Sequence, residues 1–229
     1  MSELLSYELK DNVAVITLNN GKVNAISPQL IDEFNTALDA AEQNKAVVVI
    51  TGTPGMLSGG YDLKVMTQSM ESAMALVKQG STLSHRLLSF PMPVIVASPG
   101  HAIAKGAFLL LSADLRIGVE GPYKIGLNEV AIGMTMHHAG IAIARARLAP
   151  VFLNRCVINA EMFAPQQAKE AGFLDIVVDE SELMARAMEE AQKLASLNLK
   201  AHKNTKLKVR SAFLNELAEA IEKDAAGSL

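Results

Sequence analysis

The sequence predicts an α/β fold built from parallel strand–helix–strand units. Three observations carry this reading. Short aliphatic runs, Ala46 to Thr51, Val94 to Ser98 and Leu115 to Val119, are apolar at nearly every position rather than at alternate ones. Such runs mark strands covered on both faces, as parallel strands are. The segments between them place apolar residues at helical spacing, and alternation of strand and helix is the pattern of parallel crossovers. Glycine and proline then punctuate the junctions, as at Gly52 to Tyr61 and Pro91-Met92-Pro93.

Taken in order, Leu4 to Leu9 and Val13 to Leu18 are apolar-rich runs split by Lys10-Asp11-Asn12, a hairpin pattern. Ser27-Pro28 starts a helix, with Ser as N-cap and Pro at the first helical position. Leu30, Ile31, Phe34, Leu38 and Ala41 follow on one face. After the strand at 46–51, Gly52 to Tyr61 reads as a loop with four glycines and one proline. A long helix runs from about Met70 to Ser89, with Met74, Val77, Leu83 and Leu87 on one side. Gly80 weakens its middle and Pro91 breaks it. Pro99-Gly100 turns the chain from the second strand towards a buried helix at Lys105 to Ser112. The C-terminal half is mostly helical: His137 to Leu148, Pro150 to Cys156, Pro165 to Ala171, Ser181 to Ser196 and about His202 to Ala225. The expected organisation is a core over residues 1–180 and a charged, amphipathic helical region over 181–229, an appendage or an oligomer contact.

Composition narrows the function classes. The 229 residues are half hydrophobic and one fifth charged, with a formal net charge of −3. That charge gives no general attraction to nucleic acid or anionic membranes, and the absence of Trp disfavours a base-stacking platform. Cys156 is the sole cysteine, so neither an intrachain disulfide nor a cysteine metal cluster is available. The start, Met-Ser-Glu-Leu-Leu-Ser-Tyr-Glu, lacks the basic and apolar regions of a signal peptide. Gly227-Ser228-Leu229 lacks the basic residue of a peroxisomal address. The expected location is the cytoplasm.

Lys124-Ile125-Gly126-Leu127-Asn128-Glu129-Val130-Ala131-Ile132-Gly133 places one carboxylate among apolar and glycine residues. Partial desolvation there raises a carboxyl pKa towards neutrality, which suits a group that takes and returns a proton. Read by this segment alone, Glu129 is first a surface acid or a helix N-terminal charge. Two glycine-rich turns complete the set, Leu57-Ser58-Gly59-Gly60-Tyr61-Asp62-Leu63 and Pro99-Gly100-His101-Ala102-Ile103-Ala104-Lys105-Gly106-Ala107. Each follows a strand and can expose a backbone N–H; two converging donors would hold an oxyanion. Neither ends in the Gly-Lys-Ser/Thr of a P-loop, and neither is a dinucleotide fingerprint.

In order and spacing these segments resemble the crotonase superfamily, the enoyl-CoA hydratases and isomerases, over almost the whole chain. The similarity runs through Lys22-Val23-Asn24-Ala25-Ile26-Ser27, Ser58-Gly59-Gly60-Tyr61-Asp62-Leu63, Gly100 to Asp114, the block around Glu129, and Ala164 to Val178. The resemblance implies a spiral of ββα units with a helical C-terminal region, and a homotrimer or dimer of trimers. It implies that the amides of Tyr61 and Lys105 polarise a thioester carbonyl. Val23, Ala25, Asp62, Leu63 and Lys64 would face the CoA moiety, and Gly60, Ile103, Gly106 and Phe108 fall at further substrate- or CoA-binding positions. The hydratases' two catalytic glutamates match Glu129 and Phe108, and phenylalanine moves no proton. Ile125 to Glu129 looks instead like the block of the isomerases that shift a 3-enoyl double bond to the 2-position with one carboxylate. Lys105 stands where the family usually has glycine. The function implied is enoyl-CoA isomerase, with a weak 2-enoyl-CoA hydratase or a non-catalytic acyl-CoA binder as alternatives. No cofactor beyond the CoA thioester and no metal is expected.

Other residues read more plainly. His137 and His138 are neighbours on a helix start and point apart, as capping or surface residues do. His101 is a pocket or a structural residue, and Asp114 a structural one. Met56, Met66, Met70 and Met74 line an acyl chain or pack the core. Cys156 is expected to be buried.

Overall fold

The structure, a computed structural model, describes residues 4–227. Strands β1 (Leu5–Lys10) and β2 (Val13–Leu18) form the antiparallel hairpin. Its turn residues Asp11 and Asn12 both have φ in the left-handed region, at 49° and 61°, which Asp and Asn tolerate best after glycine. Helix α1 (Pro28–Gln43) is capped by Ser27, whose hydroxyl accepts from the Leu30 amide.

Three ββα turns follow. The first is β3 (Val47–Thr51), β4 (Gly55–Ser58), the short α2 (Leu63–Met66) and the long α3 (Met70–Ser89). The second is β5 (Val94–Ser98), β6 (Gly100–Ile103) and α4 (Lys105–Leu111). The third is β7 (Leu115–Val119), β8 (Ile125–Gly126) and α5 (His138–Arg147). Each turn adds one strand to each of two sheets. The chain continues through α6 (Pro165–Ala171), β9 (Ile176–Val178), α7 (Leu183–Ala195) and α8 (Leu199–Ala225). The larger sheet has the order β1-β2-β3-β5-β7-β9 and is parallel from β2 onward; the smaller is β4-β6-β8, all parallel.

Both faces of the large sheet are covered, which explains its uninterrupted apolar strands. On one face Val47, Val49, Ile95 and Ala97 meet Leu183, Ala187 and Ala191 of α7. On the other, Val48, Ile50, Val94 and Val96 join the main core with Phe34, Leu87 and Leu110. Helix α8 lies along α3 and α5.

Four expectations are corrected. The loop at 52–61 contains β4, and the turn at Pro99-Gly100 opens directly into β6. These strands are short and carry no alternating pattern, so only pairing defines them. Close backbone approach makes that pairing possible: a Cβ on Gly100 would lie 2.2 Å from the Gly55 carbonyl oxygen. Pro150 to Cys156 is not an α-helix but a 3₁₀ turn, Pro150–Phe152, followed by a π-helical turn, Asn154–Ile158. Helix α8 also starts earlier than the apolar spacing implies, because the Asn198 side chain caps it by accepting from the Ala201 amide.

Candidate active site

The first glycine turn connects β4 to α2. Ser58 is buried; its hydroxyl donates to the Asn24 carbonyl at 2.8 Å and accepts from the Gly60 amide at 3.1 Å. Asn24, also buried, donates from its side chain to the carbonyls of Met56 and Leu57. The Gly59 amide donates to Val23 O, the Ile26 amide to Gly60 O and the Asp62 amide to Ile26 O, at 2.8–2.9 Å. These bonds use the backbone on either side of Tyr61. In a parallel bridge the intervening amide points to the opposite side. Among the described residues the Tyr61 amide is not among the backbone donors of these turns.

The second turn connects β6 to α4. Ala104 takes φ 50° and ψ −118°, and its amide donates to Gly126 O at 3.0 Å. Lys105 is then the first helical residue, whose amide has no acceptor within its own helix. Glycines let the two turns touch. A Cβ on Gly60 would lie 3.1 Å from Ala104 Cβ and 3.7 Å from the Lys105 amide nitrogen. A Cβ on Gly106 would lie 2.2 Å from the Ser58 carbonyl oxygen. The expected pair of donors, Tyr61 and Lys105, thus sits on two abutting turns.

Glu129 follows β8 in the third ββα turn, where β8 pairs with β6 through Ile103 and Gly126, and its charge acts on the Tyr61 side chain. It is 7 % exposed, and its Oε2 is buried with no hydrogen-bond partner among the described residues. Burial pushes its carboxyl up to about 7. Burial and, next, the Glu129 charge drive the Tyr61 phenol well above its ordinary value. Phe108 on α4 is buried and stacks edge-on against His137, with ring centroids 5.6 Å apart. His137 is held neutral by burial, its pKa down to about 4. Asp224 of α8 accepts from the His138 and Ala139 amides and caps α5 in three dimensions.

The Lys105 side chain turns away into the protein. It is 2 % exposed, and its Nζ donates to Gly80 O at 2.5 Å and Ser84 Oγ at 2.6 Å, both on α3. Burial brings its ammonium down to about 7. The remaining positions grade outward. Gly60, Gly106 and Phe108 are buried; Ala25, Asp62 and Ile103 are half-buried; Val23, Leu63 and Lys64 are exposed, Leu63 by 70 %. Asp62 caps α2 by accepting from the Lys64 amide.

Several other residues are settled as structural. His101 Nδ1 accepts from the Lys124 amide, and its ring meets Tyr123 edge-on. Asp114 pairs with Lys206 and Arg210 and accepts from the Val94 amide. His138 is exposed and the two rings point apart, but His137 is buried against Phe108 and its side chain makes no cap hydrogen bond, which corrects the capping or surface expectation for it. Met66 packs against the main core, whereas Met70 is exposed, so the methionines form no single wall. Cys156 is buried, as expected. Sequence reasoning gave Asn24, Ser58, Ser84 and Asp224 no role. Asn24 and Ser58 lie inside the matched segments, but Ser84 and Asp224 carry no local signal. Two open clefts, of about 500 and 390 Å³, lie elsewhere, around His202 and Arg210 and around Thr51 and Met184. Neither is lined by Glu129, Tyr61 or Lys105. Among the described residues no helix is long and apolar enough to cross a membrane.

Comparison with known proteins places the chain in a family. A family model for enoyl-CoA hydratase/isomerase matches residues 8–227. The chain is 63 % identical to an enoyl-CoA hydratase/isomerase family protein from Pseudomonas syringae, with a TM-score of 0.98 over 100 % of this chain and 99 % of that one. It is 40 % identical to an apo enoyl-CoA isomerase from Mycobacterium tuberculosis, with a TM-score of 0.94 over 99 % of both chains. It is also 29 % identical over 196 residues to a probable enoyl-CoA hydratase of Bacillus subtilis, covering 83 % of this chain and 76 % of that protein. With the ββα spiral, the paired turns and the buried acid, these similarities establish that the chain belongs to the enoyl-CoA hydratase/isomerase family of the crotonase superfamily.

Proposed function

We propose that the chain shifts the double bond of a 3-enoyl-CoA to the 2-position. One observation carries the reading: Glu129 is a buried carboxyl with an unpartnered oxygen whose charge acts on Tyr61, the other buried carboxyl, Asp224, is taken up by the α5 amides, and the position where the resemblance places a hydratase's second glutamate is Phe108, packed on His137. The thioester oxygen accepts from the amides of Tyr61 and Lys105. Ionised Glu129 removes a proton from the α-carbon, and the C–H electron pair delocalises into a dienolate whose charge rests on that oxygen. Glu129, now protonated, returns the proton to the γ-carbon and leaves the 2,3-double bond. One acid therefore serves both ends of the transfer.

Each oxyanion donor is typically worth about 3 kcal/mol, without which a carboxylate is too weak a base for an α-proton. A carboxyl pKa of about 7 matches this two-way role, since acid and base forms are both populated near neutrality. Hydration needs a further group to orient water; losing one costs on the order of a hundredfold or more. The exposed rim of Val23, Leu63 and Lys64, with Ala25 and Asp62, is assigned to the CoA portion, and Ile103, Gly60 and Gly106 to the thioester end. A trimer or dimer of trimers belongs to the same proposal and is checked by sedimentation. Turnover of 3-enoyl-CoA and 2-enoyl-CoA, assayed side by side, tests the reading. A hydratase rate equal to or above the isomerase rate overturns it, and so does a Glu129→Gln variant with full isomerase turnover.

A further inference from the structure

We infer that Gly80, in the middle of α3, is a positioning residue that registers both oxyanion amides to one point of the scaffold. The inference rests on the reading of Tyr61 and Lys105 as those donors. Glycine is a poor choice inside a 20-residue helix, and Gly80 is buried rather than at a helix end. The space beside it explains the choice. A Cβ at Gly80 would lie 2.1 Å from the Tyr61 hydroxyl oxygen and 2.6 Å from Cε1, so the ring is seated where any side chain would stand. The Tyr61 ring is thereby held against α3, and with it the backbone that carries the first amide.

The second amide is tied to the same residue from another direction. The Lys105 ammonium donates to the Gly80 carbonyl at 2.5 Å and to Ser84 Oγ, one turn further along α3, at 2.6 Å. Among the described residues no carboxylate is hydrogen-bonded to it, so these two oxygens hold the buried amino group in place. The turns also meet each other directly, Gly60 against Ala104 and the Lys105 amide. Three contacts therefore close a triangle: Tyr61 ring on Gly80, Lys105 side chain on Gly80, and turn on turn. Two donors that share one oxygen must keep a fixed separation, and errors of about 1 Å in such geometry cost about a hundredfold in rate. A helix that touches both donors' own residues supplies that constraint.

The test uses Gly80→Ala and Lys105→Met in the full-length protein. Lys105→Met keeps the volume and suits an apolar site, so it remains informative if Gly80→Ala does not fold. Carbonyl-labelled crotonyl-CoA is bound to each protein and its C=O stretch is read by infrared difference spectroscopy, alongside kcat and KM with 3-enoyl-CoA. In the wild type the stretch is expected to move to lower frequency on binding. Both variants are expected to lose at least half of that shift, with kcat down ten- to hundredfold and KM within threefold. Folded variants with the wild-type shift and kcat overturn the inference and leave the donor assignment standing. A wild type that binds the ligand without any shift overturns the donor assignment, and the inference with it.

Discussion

Replacing Glu129 with glutamine tests the state of the proposed base apart from its catalysis. Its carboxyl is 7 % exposed, lacks a partner at Oε2 among the described residues and is raised by burial from 4.5 to about 7. A raised acid pKa means that the folded chain holds this proton more tightly than the unfolded chain does. Below pH 4.5 both states are protonated and the site has no pH-dependent effect. Between about 4.5 and 7 the unfolded chain ionises first, so stability falls as pH rises, by about 1.4 kcal/mol per unit. Above pH 7 both are ionised and the full penalty of about 3 kcal/mol persists. Glutamine does not titrate, so the stability of Glu129→Gln relative to wild type is expected to grow by about 3 kcal/mol from pH 4 to pH 8. For a chain of this size that is roughly 6–12 °C in Tm. The comparison of slopes cancels the constant cost of leaving an amide unpaired. Thermal or urea unfolding of both proteins across this range measures it. Parallel curves would refute the claim that Glu129 is desolvated, and with it the argument that its pKa suits proton return. An inactive variant that is more stable than wild type at pH 8 is the expected result, since the site holds a charge the fold itself disfavours.

Three further outcomes follow from the same geometry. The kcat/KM for 3-enoyl-CoA is expected to rise with pH and level off above about 7, falling tenfold per unit below it, as the base must be ionised in the free enzyme; a profile flat from pH 5 to 8 contradicts this. Gly106→Ala would put a methyl 2.2 Å from the Ser58 carbonyl oxygen, a backbone atom that cannot swing aside, so activity should drop at least tenfold, with loss of stability of about 1–3 kcal/mol, read by kcat and Tm. Asp114→Ala strands the buried Lys206 ammonium and the Arg210 guanidinium far from the site; urea unfolding should show a loss of about 3–5 kcal/mol, with KM unchanged in whatever folds.

Local chemistry makes the architecture legible in the sequence. The aliphatic strands at 47–51, 94–98 and 115–119, the Ser27-Pro28 helix start and the proline break after Ser89 each depend on a few consecutive residues. Glu129, Tyr61 and Lys105 were also nameable, though through likeness to a family rather than through their own surroundings. Strands β4 and β6 were not legible, because Gly55–Ser58 and Gly100–Ile103 have no periodicity and exist by virtue of the partners they pair with. Asp224 gave no sign that it caps a helix 85 residues away, at Ala139. Gly80 read as a flaw in a helix, and Lys105 as an awkward substitute for glycine; only packing shows that the one receives the other. Sequence by itself determined the alternation of strand and helix and the presence of a lone acid in an apolar segment, because propensity and periodicity act within a turn or two of the chain. Whether that acid is dry, which amides face it and what holds them were decided by tertiary structure, because desolvation and donor geometry depend on neighbours that the chain brings together from distant segments.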